Sequence, residues 1–135
     1  MGDRLRKLYP EEIEQIRFVK WLKLKKIEHF AVVNENSMSS INRFMAIKVA
    51  ERSKKMGKRK GVSDLVIMLS DKIVYMEMKK QQETLKNGKK SKKNMLDDEQ
   101  KEFLKTVNGF SYAVGYVAYG FLAAKEIIEN ELKER

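Results

Sequence analysis

Cysteine is absent from the sequence, so neither a disulfide framework nor a thiolate metal site is available to it. A single histidine, His29, rules out a histidine-rich zinc site and the HExxH helix of a metalloprotease. One proline, Pro10, and seven glycines are too few for a collagenous or low-complexity chain. Long apolar runs are also missing: the least polar stretch, 112–124, is too short to span a bilayer and carries two glycines. The N-terminus lacks an apolar secretory segment, and Arg6 stands where a myristoylation signal requires Ser or Thr. The expectation is a cytoplasmic protein that engages neither a membrane nor a small organic cofactor.

What the chain does have is length for one domain and charge of one sign. Its 135 residues, 42% of them apolar, predict a single domain over residues 1–135 with one real core. Twenty-nine Lys and Arg against nineteen acids leave a net charge of +10. Between residues 54 and 93, thirteen basic residues face only four acids, so nine of those ten charges lie in mid-chain. Such a basic belt around a few carboxylates favours a polyanionic partner, nucleic acid before membrane. The plainer alternative is a solvated lysine surface.

Pro10 followed by Glu11 and Glu12 starts a helix, with proline in the first turn and acids at the positive dipole end. The spacing of Glu11, Gln15, Phe18 and Leu22 carries it to about Glu28. Residues 30–33 read as a short strand ending at Asn34, and Ser39 or Ser40 as the cap of a second helix that Gly57 ends. Ile41, Phe44, Met45, Val49 and Met56 give that helix its apolar spacing. Two apolar runs, 65–69 and 73–79, surround the polar turn Ser70-Asp71-Lys72 and predict a β-hairpin. The first run is buried on both faces. In the second, the period of two sets Tyr75, Glu77 and Lys79 on one face and Val74, Met76 and Met78 on the other. Residues 81–93 read as a mobile lysine-rich loop. Asp97 and Gln100 then form a capping-box pattern, 110–119 reads as a strand, and Phe121, Ala124, Ile128 and Leu132 mark a closing helix.

Asp64 at the head of the first hairpin strand lies alongside Glu77 and Lys79 when the hairpin closes at Asp71. Two carboxylates brought to one spot repel unless a cation or a proton sits between them. Oxygen ligands without His or Cys select Mg²⁺ or Mn²⁺, which share substrate phosphate oxygens. A lysine beside them orients or deprotonates the attacking water, or neutralises developing negative charge. These are the parts that phosphodiester hydrolysis needs. Trp21 and the eight methionines read as core, and His29 as a surface residue at a helix end. Arg43 reads equally as a phosphate contact or a surface ion pair.

Gly61-Val62-Ser63-Asp64-Leu65-Val66 followed by Tyr75-Met76-Glu77-Met78-Lys79 resembles the VRR-NUC family of the PD-(D/E)XK nuclease superfamily. The resemblance extends to Glu11, Gln15 and Val19-Lys20-Trp21-Leu22 in the first helix, and to Asn34, Arg43, Ala46 and Gly57 after it. It continues through Leu96-Asp97-Asp98-Glu99-Gln100 and Ala124-Lys125-Glu126-Ile127-Ile128, in order, over about residues 11–133. Ser63 departs from the pattern, standing where the family often has proline. The resemblance implies an α/β, restriction-endonuclease-like fold, a mixed β-sheet core flanked by helices in the order α-β-α-β-β-α-β-α. It implies that Asp64, Glu77 and the Met78 carbonyl hold the metal and that Lys79 positions the attacking water. Glu11 would complete the metal shell, with Glu14 as competitor. Gln100 would point into the site, or else only cap its helix.

The expected function is therefore a divalent-metal-dependent endonuclease acting on DNA, a lone catalytic domain without a recognition module. The resemblance adds homodimerisation, branched or four-way-junction DNA, and a phage or mobile-element source. Lys58, Arg59, Lys60, Lys80, Lys89, Lys90, Lys92 and Lys93 are expected to grip the backbone without reading bases. The alternatives are a non-catalytic nucleic-acid-binding module on the same fold and an RNA-processing nuclease.

Overall fold

The computed structural model describes residues 10–32, 42–89 and 95–133. Its elements are α1 (Pro10–Leu24), β1 (Glu28–Ala31), α2 (Arg43–Lys55), β2 (Leu65–Met68), β3 (Ile73–Lys79), α3 (Asp98–Val107), β4 (Ala113–Tyr119) and α4 (Phe121–Lys133). The strands form one sheet in the order β1-β2-β3-β4, antiparallel except for the parallel pair β3–β4. This is the expected mixed sheet with flanking helices, in the expected element order.

The two sheet faces are covered differently. Leu65, Ile67, Val74, Met76, Met78 and Ala118 meet Phe18, Trp21 and Leu22 of α1 and Ala124 and Ile128 of α4 in the main core. On the other face, α3 lays Phe103, Leu104 and Val107 against Tyr75, Ala113 and Val117. Gly115 of β4 allows this close approach, because a β-carbon there would stand 2.7 Å from a Leu104 methyl group. β2 lies between two strands, so its first three residues are buried; Met68, at its end, is half exposed.

Several boundaries move for local reasons. α1 ends at Leu24 rather than near Glu28, because Lys26 adopts a left-handed conformation (φ 58°). The Ile27 N–H then donates to the Leu22 carbonyl and the Lys26 N–H to the Lys23 carbonyl, a Schellman closure. The chain therefore enters β1 two residues early, and His29 lies in that strand, its Nδ1 2.8 Å from the Ile27 carbonyl. α2 is capped by Asn42, whose side chain accepts from the Met45 N–H; Asn34, Ser39, Ser40 and Ile41 lie outside the described residues. β4 begins at Ala113 because 110–112 form a turn, with the Phe110 N–H bound to the Val107 carbonyl.

The apolar spacing of α2 does not reach the core. The helix buries no residue, and Phe44, Met45, Ile47 and, just beyond it, Met56 are exposed. The methionines divide accordingly: Met76 and Met78 fill the core, while Met45, Met56, Met68 and Met95 face solvent. Within 81–93 the described part forms a turn, where the Leu85 N–H donates to the Lys89 carbonyl. Among the described residues no helix is long and apolar enough to cross a membrane.

Candidate active site

The site begins with strand register. Leu65 pairs with Met76, so the next step along both strands sets Asp64 opposite Glu77. The Asp64 carbonyl accepts from the Val32 N–H on the β1 side, so its backbone is turned away from β3. Opposed residues of this non-hydrogen-bonded kind bring their side chains closest. Both carboxylates project on the α3 face, the parity of Tyr75 and Val66. The ladder then opens, and the Met78 N–H donates to Asp64 Oδ2 at 2.9 Å instead of to β2 main chain. The Lys79 carbonyl is held on the β4 side by the Gly120 N–H. Strand alternation therefore turns the Met78 carbonyl to the β2 side, the side of Asp64.

Gln100 caps α3 and also reaches Glu77. Its Oε1 accepts from the Asp97 N–H at 3.1 Å while Asp97 Oδ1 accepts from the Gln100 N–H, a complete capping box. With the oxygen so committed, its amide nitrogen faces the sheet and donates to Glu77 Oε2 at 3.0 Å. The cap of α3 thus sets the orientation of a side chain in the site. The other Glu77 oxygen, Oε1, is buried and finds no donor. Burial, reinforced by the Asp64 charge, pushes the Glu77 carboxyl up to about 9, against a smaller opposing effect of Lys79.

A groove of about 920 Å³ opens over this pair. Ile47, Ala50 and Lys54 of α2 line one side; Asp97, Glu99 and Gln100 line another, with Asp64 and Glu77 between them. Lys58, Arg59 and Lys60 of the connecting loop also line it. Gly61 docks that loop on α3. Its φ is +81°, and a β-carbon there would lie 2.5 Å from the Glu99 carbonyl and 2.8 Å from the Gln100 nitrogen, so only glycine fits. Arg43, Lys80 and Lys89 are not part of the lining, and Lys90, Lys92 and Lys93 lie outside the described residues.

The first-helix acids stay apart from this cluster. Glu11 is exposed in the first turn of α1. Glu14 Oε1 accepts from the Phe121 N–H at 2.6 Å, capping α4 across the chain, and its other oxygen lies 3.7 Å from Arg17. Among the described residues no three His, Cys, Asp or Glu side chains converge as a metal-binding group. The oxygen donors at hand are thus two carboxylates and a main-chain carbonyl. That set suits a small hard cation that completes its shell with water and phosphate. The orphaned Glu77 Oε1 fits the same group, since a cation or a proton shared with Asp64 is what would satisfy it. Phe103, which stacks beneath Arg59, was not legible as part of the site. Its only sequence signal is its position three residues after Gln100.

The fold is an α/β one, a mixed four-stranded sheet flanked by helices. No family model matches the chain, and no curated protein matches it. A solved structure described as a "VRR_NUC domain protein" superimposes with a TM-score of 0.66 at 18% sequence identity, covering 95% of this chain and 92% of that one. The chain is therefore a VRR-NUC-like domain in fold, as the motifs around Asp64 and Glu77 led us to expect.

Proposed function

We propose that this protein is a metal-dependent nuclease that hydrolyses DNA phosphodiester bonds. The observation that carries the reading is the Asp64–Glu77 pair: two acids on one sheet face, one of them 4% exposed with an unpartnered oxygen, opening into a groove that Lys54, Lys58, Arg59 and Lys60 line beside the acids Glu51, Asp97 and Glu99. A purely structural role would leave that oxygen hydrogen-bonded. Asp64, Glu77 and the Met78 carbonyl would hold Mg²⁺ or Mn²⁺, which when bound polarises the phosphate and promotes deprotonation of water. Gln100 fixes the Glu77 carboxylate through Oε2. Lys79, two residues on and on the same strand face, orients the attacking water and offsets negative charge in the transition state. Glu11 reaches this chemistry only through a change in its surroundings, so its role rests on the family resemblance.

The finer features belong to the same proposal. A homodimer agrees with the exposed Phe44 and Met45 of α2 and Met56 just beyond it, apolar surface suited to a protein partner; a preference for branched DNA rests on the family resemblance. Affinity comes from phosphate contacts and selectivity from DNA shape. The test is incubation of the pure protein with linear, flapped and four-way-junction DNA, and with matching RNA. Cleavage is expected with Mg²⁺ or Mn²⁺, little with Ca²⁺ and none in EDTA. Undiminished cleavage in EDTA excludes the two-carboxylate mechanism; binding without cleavage under every metal favours a non-catalytic module.

A further inference from the structure

Arg59 is supported in a way that the groove's lysines are not. Its guanidinium lies over the Phe103 ring, 5.3 Å from the centroid, and Phe103 meets Tyr75 edge to face at 5.5 Å and 77°. Tyr75 shares the β3 face with Glu77, and Phe103 lies three residues after Gln100, on the same side of α3. The stack thus rises from the sheet one layer beside the carboxylates, and Arg59 lines their groove. Gly61, docked against the first turn of α3, holds the loop that carries Arg59 in place. No carboxylate among the described residues forms an ion pair with Arg59.

An arginine paired with a carboxylate has spent its donors. One held by an aromatic face keeps its edge N–H groups, in a rigid planar fork, for an incoming anion. The ring also restricts the side chain beforehand, so less freedom is lost when the anion binds. The groove lining carries both signs, Glu51, Asp64, Glu77, Asp97 and Glu99 beside Lys54, Lys58, Arg59 and Lys60, so a small free anion gains little there, whereas a phosphate carried by a polyanion is drawn in by the net positive charge of the whole chain. We propose that Arg59 is a phosphodiester-binding residue of this groove, gripping a nucleic-acid strand beside the Asp64–Glu77 pair, and that Phe103 is its positioning residue. The inference rests on the groove being a nucleic-acid site, though not on cleavage.

The test is fluorescence anisotropy with a labelled DNA oligonucleotide in EDTA, where hydrolysis does not intervene, over a range of salt concentrations. Arg59→Ala is expected to raise Kd about tenfold and to reduce the slope of log K against log salt by about one. Arg59→Lys is expected to restore the slope but only part of the affinity, since it keeps the charge and loses the fork. Phe103→Met is expected to weaken binding about threefold in the parent protein and not at all in the Arg59→Ala background, which a merely structural role would not produce. Phe103→Tyr keeps the ring and is expected to bind as the parent does, separating loss of stacking from loss of folding. Lys48→Ala, removing a charge held over Phe44 on α2, sets the scale for general charge loss. Parent-like binding by Arg59→Ala, a loss no greater than that of Lys48→Ala, or additivity of Phe103→Met with Arg59→Ala overturns this inference alone. Failure of the parent to bind nucleic acid overturns both this inference and the proposed function.

Discussion

Glu77 and Glu131 are 4% and 5% exposed, one on each face of the sheet, and their surroundings could hardly differ more. Glu131 of α4 accepts from Lys72 Nζ at 2.7 Å and from the Tyr116 hydroxyl. Burial works to raise its carboxyl, but the Lys72 ammonium and the Tyr116 hydroxyl outweigh burial and hold it below the ordinary range. Glu77 instead faces a second acid, keeps one oxygen unpartnered, and is driven up to about 9. A buried carboxylate that is fully answered by its neighbours serves the fold; one left short of partners stores an unmet demand for a cation or a proton.

The sharpest way to break this comparison is to neutralise each glutamate in turn. Glu77→Gln is expected to lower the cleavage rate by about three orders of magnitude or more while the fold persists. Glu131→Gln is expected to leave the rate per folded molecule unchanged but to cost about 1–2 kcal/mol of stability, because the charge-assisted bonds from Lys72 Nζ and the Tyr116 hydroxyl are weakened. Urea melts and a cleavage assay on the same samples separate the two outcomes. Equal rate losses in both variants would mean that the two glutamates do not differ in kind.

Acidity gives the next effect. Between the unfolded value of 4.5 and about 9 the folded protein holds a proton on Glu77 that the unfolded chain releases. The metal-free protein should therefore lose stability as pH rises through this window, and Glu77→Gln should abolish that loss. Glu131 has the opposite sign: its lowered value stabilises above the unfolded range, and that stability disappears as pH falls through its folded value. Thermal melts of the two variants across pH measure both slopes.

Metal binding should sharpen the contrast further. A cation at Asp64 and Glu77 displaces the Glu77 proton, so Mn²⁺ affinity should rise up to about tenfold per pH unit below about 9. Calorimetry with Mn²⁺ alone checks this without any substrate, and a flat pH dependence would remove Glu77 from the ligand set. The smallest effect concerns α1. Glu14→Ala should cost about 1 kcal/mol by uncapping α4, whereas Glu11→Gln should leave stability unchanged. Any rate loss in Glu11→Gln then reports chemistry rather than folding.

Much of this was legible along the chain where local and global preferences agree. The hairpin turn, the two-residue period of β3 and the capping box of Asp97 with Gln100 are short-range patterns, and the structure contains each of them. α2 shows the opposite case. Its apolar spacing resembles that of a core helix, yet hydrophobic periodicity states only that a face can be buried, not that anything is there to cover it. α1 ends before its apolar spacing does because Lys26 takes a left-handed conformation that usually marks a glycine.

By itself the sequence determined which residues share a strand face, where α3 begins, and that Asp64 and Glu77 lie on paired strands, because these depend on periods of two and 3.6 and on turn chemistry. Only the tertiary structure decided that Gln100, besides capping α3, holds Glu77, that Glu14 closes α4 rather than joining the acids, and that Arg59 rests on Phe103. Each of these contacts joins residues from 23 to 107 positions apart. Such meetings follow from how helices dock on the sheet, a choice made by the burial of the whole core rather than by any local pattern.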